Sequence, residues 1–131
     1  MGLTHLDAGV IIAFLDGADA RHNAARSALA TSLDNAERLA IAASALAECL
    51  VGPARRSTKA VELVRTVIGR LPVSVVHLDE EIATQAAMLR ARNRSLKLPD
   101  ALVIATDRLI TTDRTWPTAK AMKLTVSIEQ I

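Results

Sequence analysis

Aromatic residues are almost missing from this chain, which has one phenylalanine, one tryptophan and no tyrosine among its 131 residues. A folded core must therefore be filled by alanine, valine, leucine and isoleucine. Hydrophobic residues nevertheless make up 50% of the chain, and that share excludes a largely disordered protein. The length predicts a single domain, residues 1–131, large enough for one core of helices on a sheet.

Cysteine, long apolar runs and net charge are also scarce. The single Cys49 excludes an internal disulfide and favours a reducing compartment, the cytoplasm. No histidine is placed to activate Cys49 as a nucleophile, so we interpret it as a small core residue. No apolar run approaches the length needed to span a bilayer, so no membrane partner is expected. The net charge of +2 permits nucleic acid as a partner without demanding it.

Short apolar runs alternate with longer segments of helical periodicity. The apolar spacing predicts helices whose N-caps are Asp19, Ser57 and Asp79. Strands that alternate with helices are parallel and are joined by helical crossovers. The sequence therefore predicts a three-layer α/β/α sandwich with a central parallel sheet. Its predicted strands are Leu3–Leu6, Leu39–Ala43, Val73–Leu78, Leu109–Thr112 and Leu124–Ile128.

Four acidic residues come from segments that such a fold brings to one edge of its sheet. Asp7 and Asp113 directly follow two of the predicted strands, and Asp100 falls in the first turn of a helix. Glu48 lies four residues after Ser44, on the same helix face. Ligands bind beyond the carboxyl ends of parallel strands. Because clustered carboxylates repel one another, the pattern indicates a bound cation, and carboxylate and water ligands suit Mg²⁺ or Mn²⁺.

Each of these acids also has an ordinary structural explanation. Asp7 could N-cap the helix that follows it, Asp100 could complement a helix dipole, and Asp113 could be a turn residue. Ser44 could likewise N-cap its helix, or its hydroxyl could hold Glu48 or a metal-bound water. The acids taken as a set favour the metal site over coincidence.

A basic stretch, "RARNRSLK", leads to Asp100. Arg90 and Arg94 are predicted to share one helix face, and Lys97 follows them. Such a stretch is either a solvated surface or a contact for the phosphate backbone of nucleic acid. The three side chains are therefore candidates for binding the phosphate backbone of a nucleic acid such as RNA.

Four segments, "LDAGVIIAFLD", "SALAE", "LPDALVIAT" and "LITTDRTW", resemble in that order the acidic motifs of PIN-domain ribonucleases. The short single-domain form resembles the VapC-type toxins of bacterial toxin–antitoxin pairs. The resemblance implies a PIN-like α/β/α fold, endoribonuclease activity that depends on Mg²⁺ or Mn²⁺, a homodimer, and inhibition by a VapB-like antitoxin. The resemblance assigns catalysis and metal binding to four acids, Asp7, Glu48, Asp100 and Asp113. It assigns a supporting role to two hydroxyl residues, Ser44 and Thr112.

The chain departs from the family pattern between "LVIAT" and "LITTD". The family usually has the rest of a helix and a turn there, whereas only Asp107 and Arg108 stand between the two segments here. Either the helix is cut short, which would move Asp113, or a flexible stretch is left out of the sequence.

Two other classes of protein share a small α/β domain with clustered acids. A phosphoryl-accepting receiver domain requires paired acids after its first strand, whereas Ala8 and Gly9 follow Asp7 here. A non-catalytic module that binds nucleic acid or protein would keep the fold without the activity. Metal-dependent cleavage of RNA by the purified protein separates the three classes.

Overall fold

The fold alternates strands and helices along the chain, as seen in a computed structural model. This structure describes residues 4–105 and, as strand backbone alone, residues 3, 108–111 and 127–130. The helices are α1 (Ala8–Leu15), α2 (His22–Asp34), α3 (Ala43–Arg56), α4 (Thr58–Arg70), α5 (Glu80–Arg92) and α6 (Leu98–Ile104). The strands are β1 (Leu3–Leu6), β2 (Arg38–Ala42), β3 (Val73–Val76), β4 (Arg108–Thr111) and β5 (Ser127–Gln130).

The five strands form one parallel sheet in the order β3-β2-β1-β4-β5. Central β1 pairs with β2, where Leu6 lies opposite Ile41, and with β4, where Leu6 lies opposite Ile110. Successive residues of a strand point to opposite faces of a sheet, and Thr4, His5 and Leu6 are all buried. Both faces are therefore covered, as in parallel sheets generally, and the three-layer α/β/α prediction is confirmed.

All five predicted strands are present, four of them with shifted bounds. β2 and β4 begin one residue earlier than predicted, because Arg38 and Arg108 join the ladder with β1. β3 ends at Val76, the last of its residues that pairs with β2. β5 spans Ser127–Gln130, and the first three positions of the predicted strand, residues 124–126, lie outside the described residues. An apolar run marks the burial of a strand, whereas hydrogen bonding to a neighbouring strand sets its ends.

Two of the three predicted helix caps are confirmed. The side chains of Ser57 and Asp79 accept hydrogen bonds from backbone amides three residues later, at 3.0 and 2.8 Å, at the starts of α4 and α5. The predicted cap at Asp19 is wrong, because α2 begins only at His22. The Asp19 carboxylate instead accepts from the backbone amide of Arg21 at 2.8 Å and closes a turn before the helix.

The core is aliphatic, as the composition predicts. Cys49 is buried in this core at 3% exposure, which confirms its interpretation as a core residue. Phe14 only packs against the rim of the core. No helix in the described part of the chain is long and apolar enough to cross a membrane. The largest fully buried aliphatic side chains are Leu6, Val10, Ile11, Leu29, Leu39, Ile41, Leu96 and Ile104.

Candidate active site

Asp7 lies at the carboxyl end of the central strand β1 and is the N-cap of α1. Its Oδ1 accepts a hydrogen bond of 2.8 Å from the backbone amide of Ala8, one of the amides that a helix leaves without an internal partner. The side chain is only 8% exposed. The capping interpretation is therefore confirmed, and the cap also fixes where this buried carboxylate stands.

Ser44 and Glu48 come from the first two turns of α3. The N-cap position is Ala42, which has no side chain to cap with, so the interpretation of Ser44 as an N-cap is wrong. The reason is that α3 begins directly after β2, one residue before Ser44. Glu48 lies one turn further on the same face and is exposed, whereas Ser44 is half-buried.

Asp100 lies in the first turn of α6, as predicted, next to Pro99. It is half-buried, and α6 packs against both α3 and α5. This helix has seven residues and ends at Ile104, while β4 begins at Arg108. The helix is therefore short at the place where the sequence departs from the PIN pattern.

The carboxylates of Asp7, Glu48 and Asp100 are near enough to interact electrostatically. Partial burial, and then the negative charges of Asp7 and Asp100, raise the pKa of the Glu48 carboxyl above its usual value. Glu48 is exposed by surface area, yet its carboxyl faces the protein closely enough to lose part of its hydration. Three elements, β1, α3 and α6, therefore deliver negative charge to one edge of the sheet. We call these three residues the acidic cluster.

Cys49 lies behind the acidic cluster and is chemically inert there. Its Sγ donates a hydrogen bond of 3.7 Å to the carbonyl oxygen of Ala8. Burial, together with the charges of Asp7 and Glu48, raises the pKa of the thiol to about 12. A nucleophilic cysteine requires the opposite shift, so the thiol takes no part in chemistry at neutral pH.

The acidic cluster offers carboxylate oxygens, which are the type of ligand that a hard divalent cation binds. As the side chains stand, no three His, Cys, Asp or Glu residues of the described part converge closely enough to hold a metal ion among them. Mg²⁺ keeps several of its waters and is usually bound by one or two carboxylates directly. A carboxylate cluster in which some contacts pass through water therefore fits such an ion. Asp113 and Thr112, the other two predicted residues, lie outside the described residues.

The predicted RNA-binding residues are all exposed and flank the start of α6. Arg90 lies in the last turn of α5, which ends at Arg92. Arg94 follows the end of that helix, so the prediction that Arg90 and Arg94 share one helix face is wrong. Lys97 occupies the N-cap position of α6, three residues before Asp100.

Sequence reasoning missed an open groove between α1, α3 and α4, with a volume of about 460 Å³. Glu48 forms part of its wall, so the groove begins at the acidic cluster. No local sequence pattern predicted it, because the exposure of the apolar Ile12, 44%, is known only from the structure. The groove is lined by Ile12, Leu15, Asp16, Glu48, Cys49, Gly52, Pro53, Arg56 and Val64.

Comparison with known proteins identifies both the family and the fold. The model of the PIN domain family matches residues 5–114. The VapC20 toxin of Mycobacterium tuberculosis, described as cleaving the sarcin–ricin loop, superposes with a TM-score of 0.66 at 18% identity over 86% of this chain and 91% of that one. No protein of curated function gives a significant match.

Two further solved structures that resemble this chain are toxin–antitoxin assemblies. A toxin–antitoxin complex from Klebsiella pneumoniae has a TM-score of 0.67 at 22% identity, over 86% of this chain and 88% of that one. VapBC2 from Rickettsia felis, bound to a DNA fragment from its promoter, has a TM-score of 0.71 at 14% identity over 98% of both chains. At these identities the likeness shows a shared fold.

Proposed function

Because this chain belongs to the PIN domain family, we propose that it is an endoribonuclease dependent on Mg²⁺ or Mn²⁺ and the toxin of a VapBC-type pair. The observation that carries the proposal is the acidic cluster at the carboxyl edge of the sheet, where partial burial and then the charges of Asp7 and Asp100 raise the pKa of Glu48. A receiver-like function is set aside, since the family is a different one. A non-catalytic binding module remains the competing function.

Asp7, Glu48 and Asp100 would hold the cation, with Asp113 completing the set directly or through water. A divalent ion in such a site lowers the pKa of a water molecule and offsets the charge that develops on a phosphodiester under attack. Asp7 contributes a carboxylate whose position is set by its cap on α1. Glu48, which is exposed, is the member free to adjust to the ion, and Ser44 lies one turn away to orient it.

Replacing Asp100 by Asn tests the proposal against a purely structural role for that residue. Cleavage of RNA should be lost, while the metal-free protein should stay folded, because Asn removes charge from a repulsive cluster. Added Mg²⁺ or Mn²⁺ should raise the melting temperature of the wild type and do so much less in the variant, since the ion binds only the folded state.

Asp34→Asn is the matched control for that variant. Asp34 is the last residue of α2 and is exposed, four residues before β2 begins at the opposite edge of the sheet. Its substitution removes the same charge and should alter neither cleavage nor the response to metal. An Asp100→Asn protein that cuts RNA at the wild-type rate would remove the basis of the proposal.

We further propose that the groove between α1, α3 and α4 receives an apolar helix of the antitoxin. Its wall combines apolar side chains, of which Ile12 is exposed, with the carboxylates of Asp16 and Glu48 and the guanidinium of Arg56. A partner that brings apolar side chains and one arginine complements this wall, and the arginine can pair with the acidic cluster in place of the cation. Inhibition would then follow directly from binding.

Gly52 offers a way to block the groove without disturbing α3. A Cβ added at this position would meet no atom within 4 Å, so Gly52→Gln adds bulk only to the groove. Gly69 on α4 is equally open and does not line the groove, which makes Gly69→Gln the control. Where a small reading frame lies beside the gene, co-expression with its product should give a stable complex for the wild type and Gly69→Gln, but not for Gly52→Gln. Equal complex formation by both variants would place the antitoxin elsewhere.

We propose that the protein is a homodimer, for which size-exclusion chromatography with light scattering is the test. We also propose that Arg90, Arg94 and Lys97 contact the RNA backbone. Their exposure and their position before Asp100 support this role.

A further inference from the structure

A second strongly positive segment of the described part lies where α3 passes into α4, a place that the sequence motifs do not include. Residues 53–70 contain five basic side chains and one acidic one, a net charge of +4 in a chain whose total is +2. Arg55 and Arg56 end α3, and Lys59 lies in the first turn of α4, with only Ser57 between the helices. All three cations are exposed. We call these three residues the basic corner.

The basic corner is open to a partner. The ion pair that the described residues form joins Arg21 to Asp19, at 3.3 Å. None of the three corner residues takes part in it. Arg55 and Arg56 are favourably placed at the negative end of the α3 dipole. One arginine would be enough for that interaction, so the dipole does not account for the second arginine or for Lys59.

Two observations connect the corner with the acidic cluster. Arg55 lies seven residues after Glu48, two helical turns along the same face of α3, which corresponds to a separation of about 10 Å along the helix axis. Arg56 lines the same groove as Glu48. On one side of α3, Glu48 therefore lies in the second turn and the cations lie in the last turn.

We propose that the basic corner binds the phosphate backbone of the RNA on one side of the bond that is cut. This inference rests on the proposed ribonuclease function and adds a substrate-binding surface to it. At a rise of about 3.4 Å per nucleotide in a stacked strand, 10 Å corresponds to about three nucleotides. The corner thus contacts phosphates about three nucleotides from the acidic cluster, while Arg90, Arg94 and Lys97 lie near α6. Phosphate contacts of this kind fix the position of the strand without reading its sequence.

The test measures the salt dependence of RNA binding. The probe is a fluorescein-labelled single-stranded RNA of mixed sequence, and every protein carries Asp100→Asn so that the RNA stays intact. Arg55→Gln combined with Lys59→Gln should weaken binding and lower the slope of log affinity against log salt by about 1.4, since each phosphate contact to a single strand contributes about 0.7. Arg55→Lys combined with Lys59→Arg keeps both charges and should keep the slope.

Arg38→Gln is the control for net charge, because Arg38 is exposed at the amino end of β2, at the opposite edge of the sheet. It should leave the slope unchanged. An unchanged slope in the double Gln variant, or an equal fall with Arg38→Gln, overturns the proposed surface.

Cleavage of RNA by protein without the Asp100 substitution separates this inference from the proposed function. Cleavage combined with an unchanged slope refutes the basic corner alone. A lowered slope in a protein that does not cleave refutes the nuclease and leaves an RNA-binding surface. Absence of RNA binding refutes both.

Discussion

Asp7 has two roles that substitution can separate, since its carboxylate caps α1 and also carries a charge of the acidic cluster. Asn keeps the side-chain oxygen that accepts from Ala8 and removes the charge. Ala removes both the charge and the acceptor. Asp7→Asn and Asp7→Ala should therefore lose cleavage equally and differ in stability.

The expected difference follows from the geometry of the cap. Loss of an N-cap costs about 0.5–2 kcal/mol. The upper half of that range applies here, because Ala8 is only 3% exposed and its amide would be left without a partner in a buried place. Relief of repulsion with the exposed Glu48 returns about 0.2–1 kcal/mol. Asp7→Ala should thus lose roughly 1 kcal/mol, whereas Asp7→Asn should be as stable as the wild type or more so.

Urea denaturation at pH 7 in EDTA measures both free energies of unfolding. Equal m-values for the three proteins would show that the substitutions alter stability rather than the nature of the unfolding transition. The two-role interpretation is refuted if Asp7→Asn is destabilised as much as Asp7→Ala. It is equally refuted if Asp7→Asn retains cleavage at the wild-type rate.

Three further predictions concern Glu48, Cys49 and the basic residues before Asp100. The raised pKa of Glu48 means that its ionisation costs stability as the pH rises from below the unfolded value of 4.5 through the folded one. Glu48→Gln should therefore gain stability over the wild type at pH 7 and lose that gain below pH 4.5, and melting curves that show a gain independent of pH would contradict this. Cys49 is buried with a thiol pKa of about 12, so iodoacetamide should label native protein at pH 8.5 far more slowly than protein in urea. Equal labelling rates would place the thiol at the surface. Charge reversal at Arg90, Arg94 and Lys97 should weaken RNA binding across sequences and flatten its salt dependence, and an unchanged slope would show that they form a solvated surface.

The layer architecture was predictable from the sequence because each strand is a short apolar run and each helix has its own periodicity. Parallel pairing then followed from their alternation. Caps were predictable where one polar side chain precedes an apolar periodic run, as at Ser57 and Asp79. The prediction failed at Asp19, where two structures compete for the same side chain. The Asx turn that ends at Arg21 satisfies the carboxylate three residues before the helix begins.

The acidic cluster was predictable because parallel strands bring their carboxyl ends to one edge, whatever the details of packing. That rule and the helical spacing after Ser44 were enough to predict that Asp7, Glu48 and Asp100 lie at one edge of the sheet. The groove was not predictable in this way. It depends on how α1, α3 and α4 pack against one another, and no local pattern contains that information. The same holds for the basic corner, whose relation to Glu48 required the length and direction of α3.

The most direct test of the central claim is cleavage of RNA by the purified wild-type protein before and after removal of divalent metal. We expect cleavage with Mg²⁺ or Mn²⁺ present, its loss in excess EDTA, and its return when either ion is added back beyond the chelator. The loss should occur without unfolding, which melting curves recorded in the same buffers would show. Cleavage that continues at full rate in EDTA would contradict the assignment of the acidic cluster as a metal-dependent active site.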